Sequence, residues 1–107
     1  MADDPPPNVR PAVNSLITTG ETAVIVLPAG LLGGLIQNPQ AKEDQGLAVA
    51  EPLYVNPIQA PGAGPGQGWG TTFTIYPGQT WTAIPGQITP TYANALSDGH
   101  QFSAVSW

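Results

Sequence analysis

Apolar and polar positions along the chain alternate in short runs, and turn residues cut each run before it reaches helical length. The alternation is clearest over residues 72–76, where Phe73 and Ile75 fall on one face and Thr72, Thr74 and Tyr76 on the other. That period of two is the pattern of a half-buried strand. Comparable runs, alternating or rich in β-branched residues, predict strands over 13–18, 22–27, 35–38, 47–55, 80–84, 88–96 and 100–107. Thr19-Gly20-Glu21, Pro77-Gly78-Gln79, Pro85-Gly86-Gln87 and Ser97-Asp98-Gly99 are the turns between them. Pro52 removes a ladder donor, which predicts an edge or bulged strand at 47–55. Residues 40–46, holding Lys42, Glu43 and Asp44, read as an exposed loop, and 56–70 as a long loop dense in Gly and Pro. No stretch combines helical spacing with capping.

Strands of this number and spacing predict an all-β fold. The expected architecture is a single β-sandwich or jelly-roll-like domain of seven to eight short antiparallel strands over residues 14–107. Phe73, Ile75 and Phe102 are expected between the sheets, each on the apolar side of its strand. The recurring Pro-Gly-Gln at 65–67, 77–79 and 85–87 is irregularly spaced and reads as turn chemistry, not a structural repeat. Residues 1–13 stand apart, because Pro5, Pro6, Pro7 and Pro11 favour an extended polyproline conformation with no core of its own. They are expected to form an arm that lies along a neighbouring subunit.

Composition narrows the function. Thirteen Gly and thirteen Pro in 107 residues would suggest disorder, but 41% of the chain is apolar, with Trp and Phe set inside alternating runs. Charged residues make up 8%, against roughly a quarter in ordinary soluble domains. So few charges predict association, a symmetric trimer being the preferred state. Arg10 and Lys42 cannot form the basic row that nucleic acid requires. The absence of Cys removes disulfides and thiolate metal sites. The acidic, proline-broken start is the opposite of a signal peptide, and the apolar stretch 23–36 is short and broken by Pro28 and Gly30. Neither secretion signal nor membrane span is expected.

Side chains that do chemistry are scarce. Ser97, Asp98, His100 and Ser103 supply the residue types of a hydrolytic triad, but Ser-Asp-Gly is ordinary turn sequence and no Gly-x-Ser-x-Gly elbow occurs. His100 reads instead as a strand-start side chain bonded to a backbone carbonyl or water. Glu43, Asp44 and Glu51 lack the spacing of a calcium loop and read as solvated. The Gly-rich stretch 62–68 has no Gly-Lys-Ser/Thr and no following helix pattern, so it reads as a surface loop against a neighbour rather than a phosphate cradle. No enzyme activity, cofactor or metal is expected. Trp69, Tyr76, Trp81, Tyr92 and Trp107 would serve as core or interface anchors, or, if coplanar and exposed, as a platform for sugar rings.

Four pieces occur in order: Gly34-Leu35-Ile36-Gln37-Asn38-Pro39, Leu53-Tyr54-Val55-Asn56, Tyr76-Pro77-Gly78-Gln79-Thr80-Trp81 and Gly99-His100-Gln101-Phe102-Ser103-Ala104-Val105. Together they resemble a pattern in small virion proteins of tailed phages, in which such strands and a Pro-Gly turn frame one β-sandwich. The basic residue that often precedes the first strand in that pattern is replaced here by Leu31-Leu32-Gly33-Gly34. The resemblance covers about residues 20–107 and implies a structural protein made in the host cytoplasm and carried on the virion. It implies a capsid decoration (cement) protein on the outer surface of the major capsid protein lattice. The alternative it implies is a receptor- or carbohydrate-binding module of a tail or head fibre. Pro5, Pro6, Pro7, Arg10, Pro65, Trp69 and Trp107 are the expected contacts with the major capsid protein or other virion subunits.

Overall fold

The computed structural model describes residues 9–64 and 70–107. Its elements are β1 (Arg10–Pro11), β2 (Leu16–Ile17), β3 (Val24–Leu27), β4 (Gly34–Gln37), α1 (Lys42–Gln45), β5 (Leu53–Asn56), β6 (Phe73–Ile75), β7 (Thr80–Thr82), β8 (Thr91–Asn94), β9 (His100–Gln101) and β10 (Ser103–Ser106). They form two four-stranded sheets, β1-β10-β4-β7 and β3-β8-β5-β6, with a short β2-β9 ladder beside them. Every pairing is antiparallel. The fold is an all-β sandwich.

Ten strands stand among the described residues because local bonding cuts several expected runs. The run 100–107 splits at Phe102: up to it the chain pairs with β2, Phe102 N donating to Ser15 O at 3.0 Å, and from Ser103 it pairs with β4. The run 13–18 shrinks to β2, since Val13 N donates to Val26 O at 2.8 Å and Asn14 Nδ2 to Ile25 O at 2.7 Å. These bonds cover the edge of β3. Within β3, Ile25 pairs with Tyr92 and Leu27 with Thr91, so Val26 is an extra residue and both Val26 and Leu27 are buried. The run 88–96 narrows to β8, and 80–84 ends at Thr82.

Two expectations fail here for physical reasons. The strand at 47–55 is neither at an edge nor bulged: it reduces to β5, which lies between β8 and β6 with all four residues buried. Pro52 precedes its first residue, so no ladder bond of β5 is lost. The exposed loop at 40–46 holds the one-turn helix α1, ended by Gly46 in the left-handed region (φ 74°), and its Gln45 is fully buried.

The core lies between the four-stranded sheets and includes Val26, Leu27, Ile36, Leu53, Val55, Ile75, Trp81 and Phe102. Register puts Val24, Ala93, Val55 and Phe73 in one inward row. Phe73 nevertheless remains 49% exposed, against the expectation of a buried ring, because β6 is an edge strand. Its ring is tilted against Trp81 with centroids 6.4 Å apart, partly covering the rim where β6 meets β7 of the opposite sheet.

The chain itself covers the β8-β5 part of the outer face of β3-β8-β5-β6, while Ile25 of β3 stays 37% exposed. Asn56 Oδ1 accepts the N–H groups of Ile58 (2.8 Å) and Gln59 (3.0 Å), turning the loop back over Tyr54 and Asn94. Asn94 Nδ2 donates to Pro61 O at 3.0 Å. Gln87 Nε2 and Thr89 Oγ1 donate to Pro57 O at 3.2 and 2.5 Å. Residues 57–64 thus lie over this sheet, with Pro57, Pro61 and Gly64 buried. Burial pushes the Tyr54 hydroxyl pKa up, with Tyr76 and Glu51 acting the same way.

Candidate docking face

On the other sheet no hydrogen bond ties a loop over the outer face among the described residues. In β4 the alternation buries Gly34 and Ile36 and exposes Leu35 and Gln37. Leu35 lies opposite Val105 and Thr82, Gln37 opposite Ser103 and Thr80, and Val105 opposite Pro11. None of these positions carries a charge. A hollow of about 230 Å³ forms around Leu35, Gln37, Thr80, Ser103 and Val105. Gln37 and Ser103 also line a groove of about 660 Å³ with Gln40, Asp44 and Gln101. Gly78 lies at its wall with φ 90°, and a side chain there would meet Gln40, whose Cβ is 3.4 Å from the nearest such atom.

Behind the groove is a buried polar clamp. Asn38 Nδ2 donates to Glu51 O and Ile75 O, both at 2.9 Å, so its Oδ1 is the acceptor. That oxygen receives Gln45 Nε2 at 3.1 Å and His100 Nε2 at 2.8 Å. Gln45 also reaches Pro39 O (2.8 Å) and Glu51 O (3.1 Å), and its Oε1 accepts Glu51 N (2.8 Å). Asn38, Gln45 and His100 are 0% exposed. The clamp ties the ends of β4, α1 and the start of β9 to the edge of β6, satisfying Ile75 O where the sheet has no further strand.

His100 Nε2 therefore carries the hydrogen, leaving Nδ1 a buried acceptor without a partner among the described residues. Burial pushes the His100 pKa down, while Glu51 acts in the opposite direction. The expected backbone or water partner of His100 is replaced by Asn38.

Groove and clamp are built from adjacent residues: Gln37 and Asn38, Asp44 and Gln45, His100 and Gln101. In each pair one side chain is buried in the clamp and its neighbour lines the groove. In β9 this is simple strand alternation; at the other two pairs it is where a strand ends and a helical turn closes.

The side chains weighed and set aside as a hydrolytic triad each have other partners. Ser97 Oγ donates to Glu51 Oε2 at 2.7 Å, Asp98 Oδ1 accepts Gly20 N at 2.6 Å, and His100 is held by Asn38. No triad bond joins them. Among the described residues no three His, Cys, Asp or Glu side chains gather as a metal site, and no helix is long and apolar enough to cross a membrane.

Of the expected partner contacts, Pro5, Pro6, Pro7, Pro65 and Trp69 lie outside the described residues. Arg10 and Pro11 pair with Ser106 and Val105 of β10, so this part of the expected arm runs along its own sheet. Trp107 is half-buried against Gly33, exchanges backbone bonds with it (3.0 and 3.1 Å) and accepts Leu32 N at 2.8 Å. Of the aromatics considered as a sugar platform, Trp81 is buried in the core, Tyr92 is half-buried and Tyr76 is 56% exposed.

Sequence reasoning did not single out Gln37, Gln40 or Gln101. The alternation of β4 points Gln37 outward; nothing in the sequence says that the opposite sheet is covered and this one is not. No protein-family model, curated protein or solved structure matches the chain.

Proposed function

We propose that this chain is a structural subunit of a tailed-phage virion, a capsid decoration protein that docks on the major capsid protein lattice through the outer face of β1-β10-β4-β7. The observation that carries this reading is the contrast between the two sheets: one is roofed by residues 57–64, the other presents Leu35, Val105, Thr and Gln positions without a charge. A face of that composition is solvated weakly and packs against protein without stranding a charge. The resemblance of the four sequence pieces to virion β-sandwich proteins supports the same reading. The preferred assembly is a trimer, which sedimentation of the isolated chain tests.

The reading is tested by quantitative mass spectrometry and electron cryomicroscopy of purified virions. The expected result is the chain at a fixed ratio to the major capsid protein, with density on the outer shell. Absence from the particle would overturn it. Density confined to the tail or a head fibre would select the receptor-binding alternative.

A further inference from the structure

We propose that the groove and the neighbouring hollow together receive one extended segment of a partner protein, with an apolar side chain seated at Leu35 and Val105 and a Lys or Arg reaching Asp44. This rests on the reading above, since it names what the docking face grips.

The first support is the hydrogen-bond census. Among the described residues, most side-chain amides are engaged within the chain: those of Asn14, Asn38, Gln45, Asn56, Gln79, Gln87 and Asn94. Gln37, Gln40, Gln59 and Gln101 have no such bond; Gln59 lies on the roof, and the other three line the groove. Each offers two donors and an acceptor, the complement of a peptide main chain, which presents N–H and C=O alternately along its length.

The second support is continuity. Gln37 and Ser103 belong to both depressions, so a ligand leaving the amide groove enters a hollow walled by Leu35 and Val105. Polypeptide carries main-chain amides and apolar side chains on one strand. A saccharide would use the amides, yet among the described residues the groove's only aromatic is Phe102, which is 5% exposed and offers no stacking face.

Charge selects the sign. Among the described residues Asp44 is the one charged side chain lining the groove, in a chain with a formal net charge of −5. A basic segment is attracted and an acidic one repelled. The clamp supplies rigidity, because Gln37, Asp44 and Gln101 are each bonded covalently to a residue locked within it. Less order has to be imposed on binding.

The test is an NMR titration of the full chain with the blocked decapeptide Lys-Thr-Leu-Thr-Lys-Thr-Leu-Thr-Lys-Thr, its Glu-for-Lys counterpart, and maltoheptaose. The expected result is that the Lys peptide shifts the side-chain amides of Gln37, Gln40 and Gln101 and the methyls of Leu35. Asp44→Asn should weaken binding about threefold, and Gln37→Ala or Gln101→Ala about fivefold, the worth of one exposed ion pair and one hydrogen bond. Unchanged backbone spectra establish that these variants fold.

Silence of those resonances, equal binding of the Glu peptide, or shifts produced by maltoheptaose but not by the Lys peptide would overturn the proposal. Retention on virions separates it from the docking reading. If the Gln37→Ala, Asp44→Asn, Gln101→Ala triple variant is kept on capsids as well as the native chain, the groove is not the grip although the subunit is structural. Peptide binding by a chain absent from virions gives the converse.

Discussion

The outer face of β3-β8-β5-β6 and that of β1-β10-β4-β7 carry similar side chains to opposite ends. On the first, Asn56 and Asn94 bond to the chain's own loop and are buried, and half-buried Gln87 of the β7–β8 loop adds a bond to Pro57 O. On the second, Gln37 faces an open groove with its amide free, and Gln101 of the neighbouring β9 faces the same groove. The difference is topological. Residues 57–64 of the β5–β6 connection fold back as a roof, whereas Leu35 and Gln37 of β4 stay exposed among the described residues. An amide thus serves folding or recognition according to which face of the sandwich its strand register selects.

The sharpest way to break this comparison is to mutate chain neighbours that fall on its two sides. Asn38→Ala leaves Ile75 O and the His100 Nε2–H without partners in a buried site. Two orphaned groups at about 1–3 kcal/mol each give an expected loss of about 2–6 kcal/mol. Gln37→Ala should stay within about 0.5 kcal/mol, as at an ordinary surface site. Denaturant titrations of the two variants measure the gap, and comparable losses would show that the groove side is structural too.

A smaller effect is expected at Asn94→Ala, which strips the roof of its bond to Pro61 O. The expected loss is about 1–3 kcal/mol, with faster amide exchange over residues 57–64. Gln101→Ala should change neither. Equal effects would mean that the roof is not held by that amide.

The clamp also makes stability depend on pH. The pKa of His100 is lowered in the folded state, so below about 6.5 the unfolded chain takes up a proton that the native site refuses. The resulting stability is present above that pH and is lost as pH falls toward the folded pKa, with a slope of at most about 1.4 kcal/mol per pH unit. His100→Gln should remove this component from thermal melts recorded between pH 7 and 5, while Gln101→Ala should retain it.

Much of the fold was legible because strands and turns announce themselves locally. Phe73 and Ile75 alternate with Thr, and Pro-Gly-Gln marks where chains reverse. The site was not legible in the same way. Asn38, Gln45 and His100 come from three separated segments, and polar residues in loops have no periodic signal that announces burial. Gln45 in particular lies in a charged, turn-like stretch that reads as solvent-facing, yet it fills the interior once Asn38 and Glu51 converge on it. The position of Pro52 misled for a related reason: whether a proline interrupts a ladder depends on where pairing starts, which tertiary register decides.

Docking is expected on the outer face of β1-β10-β4-β7 and not on the roofed one. This is tested most directly by comparing retention on purified virions of Leu35→Glu, a charge placed at the centre of the first face, with Ile58→Glu, a charge placed on the exposed roof. With both variants folded to the same melting temperature as the native chain, the account predicts loss of Leu35→Glu from the particle and full retention of Ile58→Glu; retention of the first with loss of the second would contradict it.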